Sequence, residues 1–116
     1  MLWIFTGITS IQPSMGQSLT SAGKQKEAEY KREINKYQSS GNQRKQLEFI
    51  NKLAFLYWNH KLFDQAQQQF EKSLKINHEL DNLNGVKRTH YYIGMILSES
   101  ENYSQALTSF QKGLEL

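Results

Sequence analysis

Residues 47–80 read LEFINKLAFLYWNHKLFDQAQQQFEKSLKINHEL, and the spacing of large and small apolar residues in this stretch decides the fold. The pattern has a large–small pair, an aromatic residue three positions later, then an alanine and a phenylalanine four apart: Leu53, Ala54, Tyr57, Ala66 and Phe70. Residues three and four apart lie on one face of a helix. The stretch therefore predicts two amphipathic helices joined by a short turn near residues 59–61.

The same pattern returns forty residues later, as the step from Ala66 to Ala106 shows. The matching residues are Ile93, Gly94, Leu97, Ala106 and Phe110. We expect both sets to form the core of two helix pairs, with the small member of each large–small pair at the point where two helix backbones come closest.

This spacing resembles the tetratricopeptide repeat, whose pattern runs large–small, Tyr, Ala, Phe. The resemblance covers about residues 42–116 and implies an all-α fold, a superhelical solenoid of antiparallel helix pairs. The ordinary repeat has about 34 residues. The longer period here, with Leu80, Asp81 and Gly85 in the linker 78–85, is similar to a long variant common in bacterial sensor kinases and their relatives.

Three segments follow from this pattern: 1–16, 17–41, and two repeats at 42–82 and 83–116. A helix is expected over residues 21–39, where Tyr30, Ile34 and Tyr37 recur at helical spacing. Lys26 stands where the repeat has Ala66, so this helix is interpreted as a degenerate half-repeat or N-terminal cap.

The first eleven residues, MLWIFTGITSI, are mostly apolar, and small residues follow at Ser14 and Gly16. This order is typical of a secretory signal peptide cleaved after Gly16, and it predicts export from the cytoplasm. No Lys or Arg precedes the apolar run, and Thr and Gly interrupt it, so an unstructured N-terminus is the alternative. The run is too short to span a membrane, which takes roughly 20 residues.

Composition and motifs argue against catalysis. The 116 residues contain no cysteine, which excludes disulfides and thiolate metal sites. His78-Glu79 begins like a zinc-protease motif, but Asn82 stands where the second His is needed. We predict that the chain is not an enzyme and uses no cofactor or metal.

Positive charge is concentrated in one segment. Residues 24–45 hold seven basic and three acidic residues, and the rest of the chain holds seven and eight. Such a helix with Tyr30 and Tyr37 could bind nucleic acid through cations and stacking rings. Because both Tyr lie on the face that must pack, a solvated basic face is favoured, and no nucleic-acid partner is predicted.

The resemblance also implies a binding groove, lined by the first helix of each pair. The corresponding positions in this chain are Glu48, Asn51, Phe55, Trp58, Asn59, Arg88, Tyr91, Met95, Ser98 and Glu99. Phe55 and Met95 stand where carboxylate-clamping members have polar residues, so an apolar groove for a peptide or partner helix is expected. The alternative is that these side chains pack inside the chain. Trp58 lies about 100° from Tyr57 around the helix, and its truncation is expected to leave stability nearly unchanged.

Three functions fit these observations. The first is a non-catalytic module that binds a protein or peptide. The second is a sensory segment of a bacterial signalling protein whose output domain lies elsewhere. The third is a self-assembling scaffold, since Leu107, Phe110, Leu114 and Leu116 leave an apolar face at the end of the sequence. That end predicts a fragment, or a chain completed by a partner.

Overall fold

A computed structural model describes residues 18–116, which form five α-helices. In chain order these are α1 (Ser21–Ser39), α2 (Gln43–Asn59), α3 (Phe63–Glu79), α4 (Leu83–Glu99) and α5 (Tyr103–Leu114). The segment 1–16, with its expected signal peptide, lies outside the described residues. Each helix packs against the next one in the chain, and the array measures 59 × 36 × 17 Å. The predicted all-α helical repeat is confirmed.

The connections between the helices share one geometry. The last four helices begin twenty residues apart, at Gln43, Phe63, Leu83 and Tyr103. The middle residue of each three-residue connection has a positive φ: Gly41 (75°), Lys61 (60°), Asp81 (53°) and Glu101 (67°). The backbone N–H of the next residue then donates to the carbonyl five residues earlier, as from Leu62 to Tyr57 at 2.9 Å. This hydrogen bond and the left-handed residue end each helix and reverse the chain.

The link between the two repeats is shorter than predicted. Residues 78–85 were expected to form it, but α3 continues to Glu79 and α4 already begins at Leu83. The Asn82 side chain makes this possible, because its Oδ1 accepts a hydrogen bond from the backbone N–H of Gly85 at 3.3 Å and caps α4. The predicted linker 78–85 was therefore too long, and the linker ends at Asn82, three residues before its predicted end.

Buried polar groups reinforce the same junction. Asn77, on α3, accepts a hydrogen bond from Asn82 Nδ2 at 2.8 Å and donates to the Ser73 carbonyl at 3.0 Å. A Cβ on Gly85 would lie 2.1 Å from Asn77 Oδ1, so only glycine fits there without displacing the amide. Glycine is therefore needed at position 85 because the Asn77 side chain lies so close to its backbone, and not because the chain turns there.

The core runs along the array where consecutive helices meet. Nine of the ten residues predicted for it are buried: Leu53, Ala54, Tyr57, Ala66, Phe70, Ile93, Gly94, Leu97 and Ala106. Phe110 is only half-buried, because it lies on α5, the last helix in the array, and has α4 on one side only. Its ring contacts Gly94 so closely that a Cβ there would lie 2.5 Å from Phe110 Cε1.

Candidate functional site

Four aromatic rings from three helices form an aromatic cluster: Phe55 and Trp58 of α2, Phe70 of α3 and Tyr92 of α4. Phe55 lies at the centre. Its ring is stacked on that of Trp58, with centroids 5.9 Å apart and planes at 13°, and it meets Phe70 and Tyr92 edge-on at 5.2 and 5.1 Å. Such offset and edge-to-face geometries are favoured by the ring quadrupoles. The cluster joins α2 to α4, which are not neighbours in sequence.

A polar contact extends this junction to the surface. Trp58 Nε1 donates a hydrogen bond to Oε2 of Glu99 at 3.2 Å, in an exposed setting. The indole is half-buried, so one part of the ring packs in the cluster and another faces solvent. The structure thus brings together three of the groove residues predicted from the sequence, Phe55, Trp58 and Glu99.

Trp58 differs from the sequence-based expectation in one respect. Its ring lies 6.1 Å from that of Phe70, which is fully buried, and 6.1 Å from that of Tyr92. A side chain with these neighbours contributes to stability as well as to any binding surface. Truncation of Trp58 is therefore expected to lower stability, in contrast to the expectation from the sequence.

Glu48 is engaged on its own helix. Its carboxylate lies 3.3 Å from Lys45 Nζ and 3.4 Å from Lys52 Nζ. The hydrogen bond from Lys45, followed by the charges of both lysines, lowers the pKa of Glu48. All three side chains are exposed, so these pairs contribute little to stability. Lys52 Nζ also lies over the ring of Phe49, 4.7 Å from its centroid.

The remaining predicted groove residues are distributed over two sides of the array. Asn51, Met95 and Ser98 are half-buried, and Asn59 and Arg88 are exposed. Tyr91 is 53% exposed, and its ring lies 5.8 Å from that of Phe110 on α5. The Tyr91 ring also lies 6.2 Å from that of Tyr92, so it borders the aromatic cluster on one side and α5 on the other.

Sequence reasoning missed Tyr92, which contacts Phe55, Trp58 and Phe70. Comparison of the repeats could not find it, because the residue forty positions earlier is Lys52. A helical-period signal was present, since Thr89, Tyr92, Ile93 and Ile96 follow the i, i+3, i+4, i+7 pattern of a packed face.

A second surface feature is an open polar groove of about 450 Å³ between α3, α4 and α5. Its lining includes Glu71, His90 and Lys112. Burial, followed by the positive charges of Lys112 and His78, lowers the pKa of His90. His90 is therefore neutral near pH 7.

Residues 18–116 contain no cluster of three or more His, Asp or Glu side chains suited to a metal ion. Every buried side-chain nitrogen or oxygen in this part of the chain has a hydrogen-bond partner. None of the five helices is long and apolar enough to cross a membrane.

Comparison with known proteins identifies the repeat. Residues 46–116 match the tetratricopeptide repeat family, which is more than half of the chain. No curated protein and no solved structure showed a significant match. The match covers α2 to α5, including all four rings of the aromatic cluster and both large–small pairs. The chain belongs to the tetratricopeptide repeat family.

Proposed function

We propose that the chain binds a segment of another protein along the α2–α4 face, defined by Phe55 and Trp58 of α2 and by Arg88, Tyr92 and Glu99 of α4. The family match supports a protein-interaction module in general. The observation that carries this particular face is the half-exposed Trp58, stacked on Phe55 and hydrogen-bonded to Glu99. Aromatic residues held rigidly at a partly exposed surface are those that dominate binding energy at protein interfaces.

The charges along α4 suggest how a partner would lie. Arg88, Tyr92, Met95 and Glu99 follow a 4-3-4 spacing, so they share one stripe of the helix. Arg88 and Glu99 are exposed and lie about 16 Å apart along the axis. We expect a partner segment with an acidic residue near Arg88, apolar side chains over the cluster and a basic residue near Glu99.

A peptide-display selection on the intact chain tests this proposal. Selected peptides should share an apolar centre flanked by opposite charges. In a Trp3→Phe background, Trp58 is the remaining indole, and its fluorescence should change on binding. Arg88→Ala and Glu99→Gln should weaken binding by roughly tenfold each. Lys75→Ala, on the exposed side of α3, is the matched control and should have no effect. Peptides that bind equally well to all these variants would contradict the assignment of the face.

We propose two further functions, each on a separate observation. The forty-residue spacing supports a regulatory segment of a bacterial signalling protein, in which the array would control an attached kinase or transcription domain. Sequencing the gene beyond the codon for Leu116 tests this: a transmembrane helix and a kinase would support it, and a stop codon would contradict it. The apolar face of α5 supports self-assembly.

We also propose that the chain is exported, on the basis of the apolar run 2–11 and the small residues Ser14 and Gly16. Mass spectrometry of the protein purified from its native cells tests this. A mature N-terminus at residue 17 is expected. An intact Met1 in the soluble cytoplasmic fraction would contradict export.

A further inference from the structure

Helix α5 presents a stripe of large apolar side chains to solvent. The α5 stripe consists of Tyr103, Leu107, Phe110 and Leu114, which share one face because they are spaced four, three and four residues apart. Tyr103 is 66% exposed, Leu107 58% and Leu114 85%, and Phe110 is half-buried. Three of the four side chains are thus more exposed than Leu83 (50%) and Tyr91 (53%), the exposed large apolar residues of α4.

The corresponding stripe on α3 shows what such a surface does in this fold. Forty residues before Tyr103, Phe110 and Leu114 stand Phe63, Phe70 and Leu74. Helix α4 packs beside this stripe and lines a groove with Leu74, and together with α2 it buries Phe70 completely. Phe63 and Leu74 are half-buried. The α5 stripe is therefore shaped to receive another amphipathic helix.

We propose that this helix is α5 of a second copy of the chain, packed antiparallel across a two-fold axis. The 4-3-4 spacing reads the same in both directions. Antiparallel pairing therefore places Tyr103 opposite the partner's Leu114 and Leu107 opposite the partner's Phe110. A surface that complements itself in this way is what a two-fold dimer requires.

A cavity at the end of the stripe fits the partner's tyrosine. It has a volume of about 470 Å³ and is lined by Lys87, Tyr91, Phe110, Gly113 and Leu114. In the antiparallel pair, Tyr103 of one protomer enters this cavity of the other protomer. Its ring lies against Tyr91 and Phe110, an arrangement that aromatic side chains favour. Each protomer thus fills the other protomer's cavity with its Tyr103.

Charge complementarity supports the same pairing. Glu101 lies two residues before Tyr103, so the antiparallel arrangement brings it close to the partner's Lys87. Both side chains are exposed, and neither belongs to an ion pair within residues 18–116. Head-to-tail packing of the stripe on α1 is disfavoured, because the side of α1 opposite Tyr30 and Ile34 exposes the charged side chains of Glu29, Arg32 and Lys36, and an apolar stripe would desolvate them.

The contact is small. A 12-residue helix is about 18 Å long, and one helix pair falls at the low end of the sizes of specific interfaces. The dimer is therefore expected to dissociate on dilution and to form at concentrations of roughly tens of micromolar.

Sedimentation velocity of the full chain over a concentration series is the first test. The wild type should shift from monomer to dimer as concentration rises. Leu107→Glu places a charge at the centre of the stripe and should keep the chain monomeric. Thr108→Glu adds the same charge about 100° away on the exposed side of α5 and should dimerise like the wild type. A wild type that stays monomeric to several hundred micromolar, or a Leu107→Glu variant that still dimerises, would overturn the proposal.

Disulfide cross-linking tests the relative orientation of the two α5 helices. Because the sequence contains no native cysteine, only the introduced cysteines can react. The double variant Tyr103→Cys, Leu114→Cys should form a covalent dimer under mild oxidation. The two positions lie about 16 Å apart within one helix, too far for a disulfide inside the chain, which needs Cα atoms within about 7 Å. Tyr103→Cys alone should stay monomeric on a non-reducing gel. A dimer formed by Tyr103→Cys alone would indicate parallel helices and contradict the antiparallel pairing.

A charge exchange tests the partner assignment for Lys87. Lys87→Glu and Glu101→Lys should each weaken the dimer, because each places like charges across the interface. The double variant should restore it, since both symmetric pairs are then re-formed. Failure of the double variant to recover would contradict this contact. These experiments do not involve the α2–α4 face, so their outcome is independent of the peptide-binding proposal.

Discussion

The phenolic hydroxyl of Tyr57 on α2 donates a hydrogen bond to Oε2 of Glu27 on α1. Tyr57 is buried in the core of the first repeat. Its ring packs between α2 and α3, and its hydroxyl binds α1, the preceding helix. Burial, followed by the bond to the Glu27 carboxylate, raises the pKa of Tyr57. Lys31 Nζ lies 3.6 Å from the same Glu27 oxygen. Helix α1 is thus attached to the repeat by a specific polar contact as well as by packing.

Tyr57→Phe should destabilise the fold by about 1–2 kcal/mol, because it removes a hydrogen bond to a charged acceptor while keeping the ring. Urea unfolding measures this free energy. Glu27→Gln should cost less, and a double-mutant cycle should show a coupling of about 1 kcal/mol between the two positions. Strictly additive effects would mean that the hydrogen bond does not contribute to stability.

Trp58→Ala should lower the free energy of unfolding by about 1–3 kcal/mol, since it removes half-buried ring contacts with Phe55, Phe70 and Tyr92. Phe70→Ala, at the fully buried position of the cluster, should cost more, about 3–5 kcal/mol. Thermal melts at low protein concentration measure both. A Trp58→Ala melting temperature equal to that of the wild type would show that the indole is only a surface group.

The left-handed residues in the connections give a prediction about backbone strain. Lys61 has φ 60° and an exposed side chain, so Lys61→Gly should stabilise the protein by up to about 1 kcal/mol. Gly41→Ala should destabilise it by about 1 kcal/mol at φ 75°, although no atom lies within 4 Å of the added Cβ.

Lys75→Gly is the matched control for these variants, because Lys75 is exposed in the interior of α3 and its replacement should cost about 1 kcal/mol. Chemical denaturation of the three variants gives the comparison. If Lys61→Gly destabilises as much as Lys75→Gly, the connections carry no strain that glycine relieves.

Stability should depend on pH through His90. Its pKa in the folded chain is lowered from the ordinary value of 6.5, so the unfolded chain binds a proton there more readily. Stability then rises with pH between the folded-state pKa and the ordinary pKa of His90. The stabilisation from neutral His90 is fully present above about pH 6.5 and is lost as the pH falls through the lower, folded-state pKa. Urea unfolding at pH 8 and pH 5 gives the free energy of unfolding at each pH. The difference between the two values should be smaller for His90→Gln than for the wild type. An unchanged difference would assign the pH dependence to other groups.

The fold could be predicted from the sequence because its determinants are local and periodic. The spacing of Leu53, Ala54 and Tyr57 and its return at Ile93, Gly94 and Leu97 indicate helix faces directly. Gly94 was expected to allow two helix backbones to approach closely; in the structure its missing side chain instead leaves room for the ring of Phe110.

The site was less predictable, because it depends on how helices separated in sequence are placed side by side. Tyr92 has no counterpart in the first repeat, and its part in the cluster appears only when α4 lies beside α2. The hydrogen bond between Trp58 and Glu99 has the same origin. The role of Gly85 was hidden for a similar reason: its constraint comes from Asn77 on the preceding helix, which no local turn rule describes.

The neighbour-to-neighbour packing has a consequence for folding kinetics. Most interhelical contacts join segments connected by only three residues, and chains with such local contacts fold in microseconds to milliseconds. The edge-to-face contact between Phe55 and Tyr92 is different, because it requires α2, α3 and α4 to be in place together. Helix pairing should therefore precede closure of the cluster, and in a Trp3→Phe background the fluorescence of Trp58 should rise or fall after far-UV circular dichroism has already recovered.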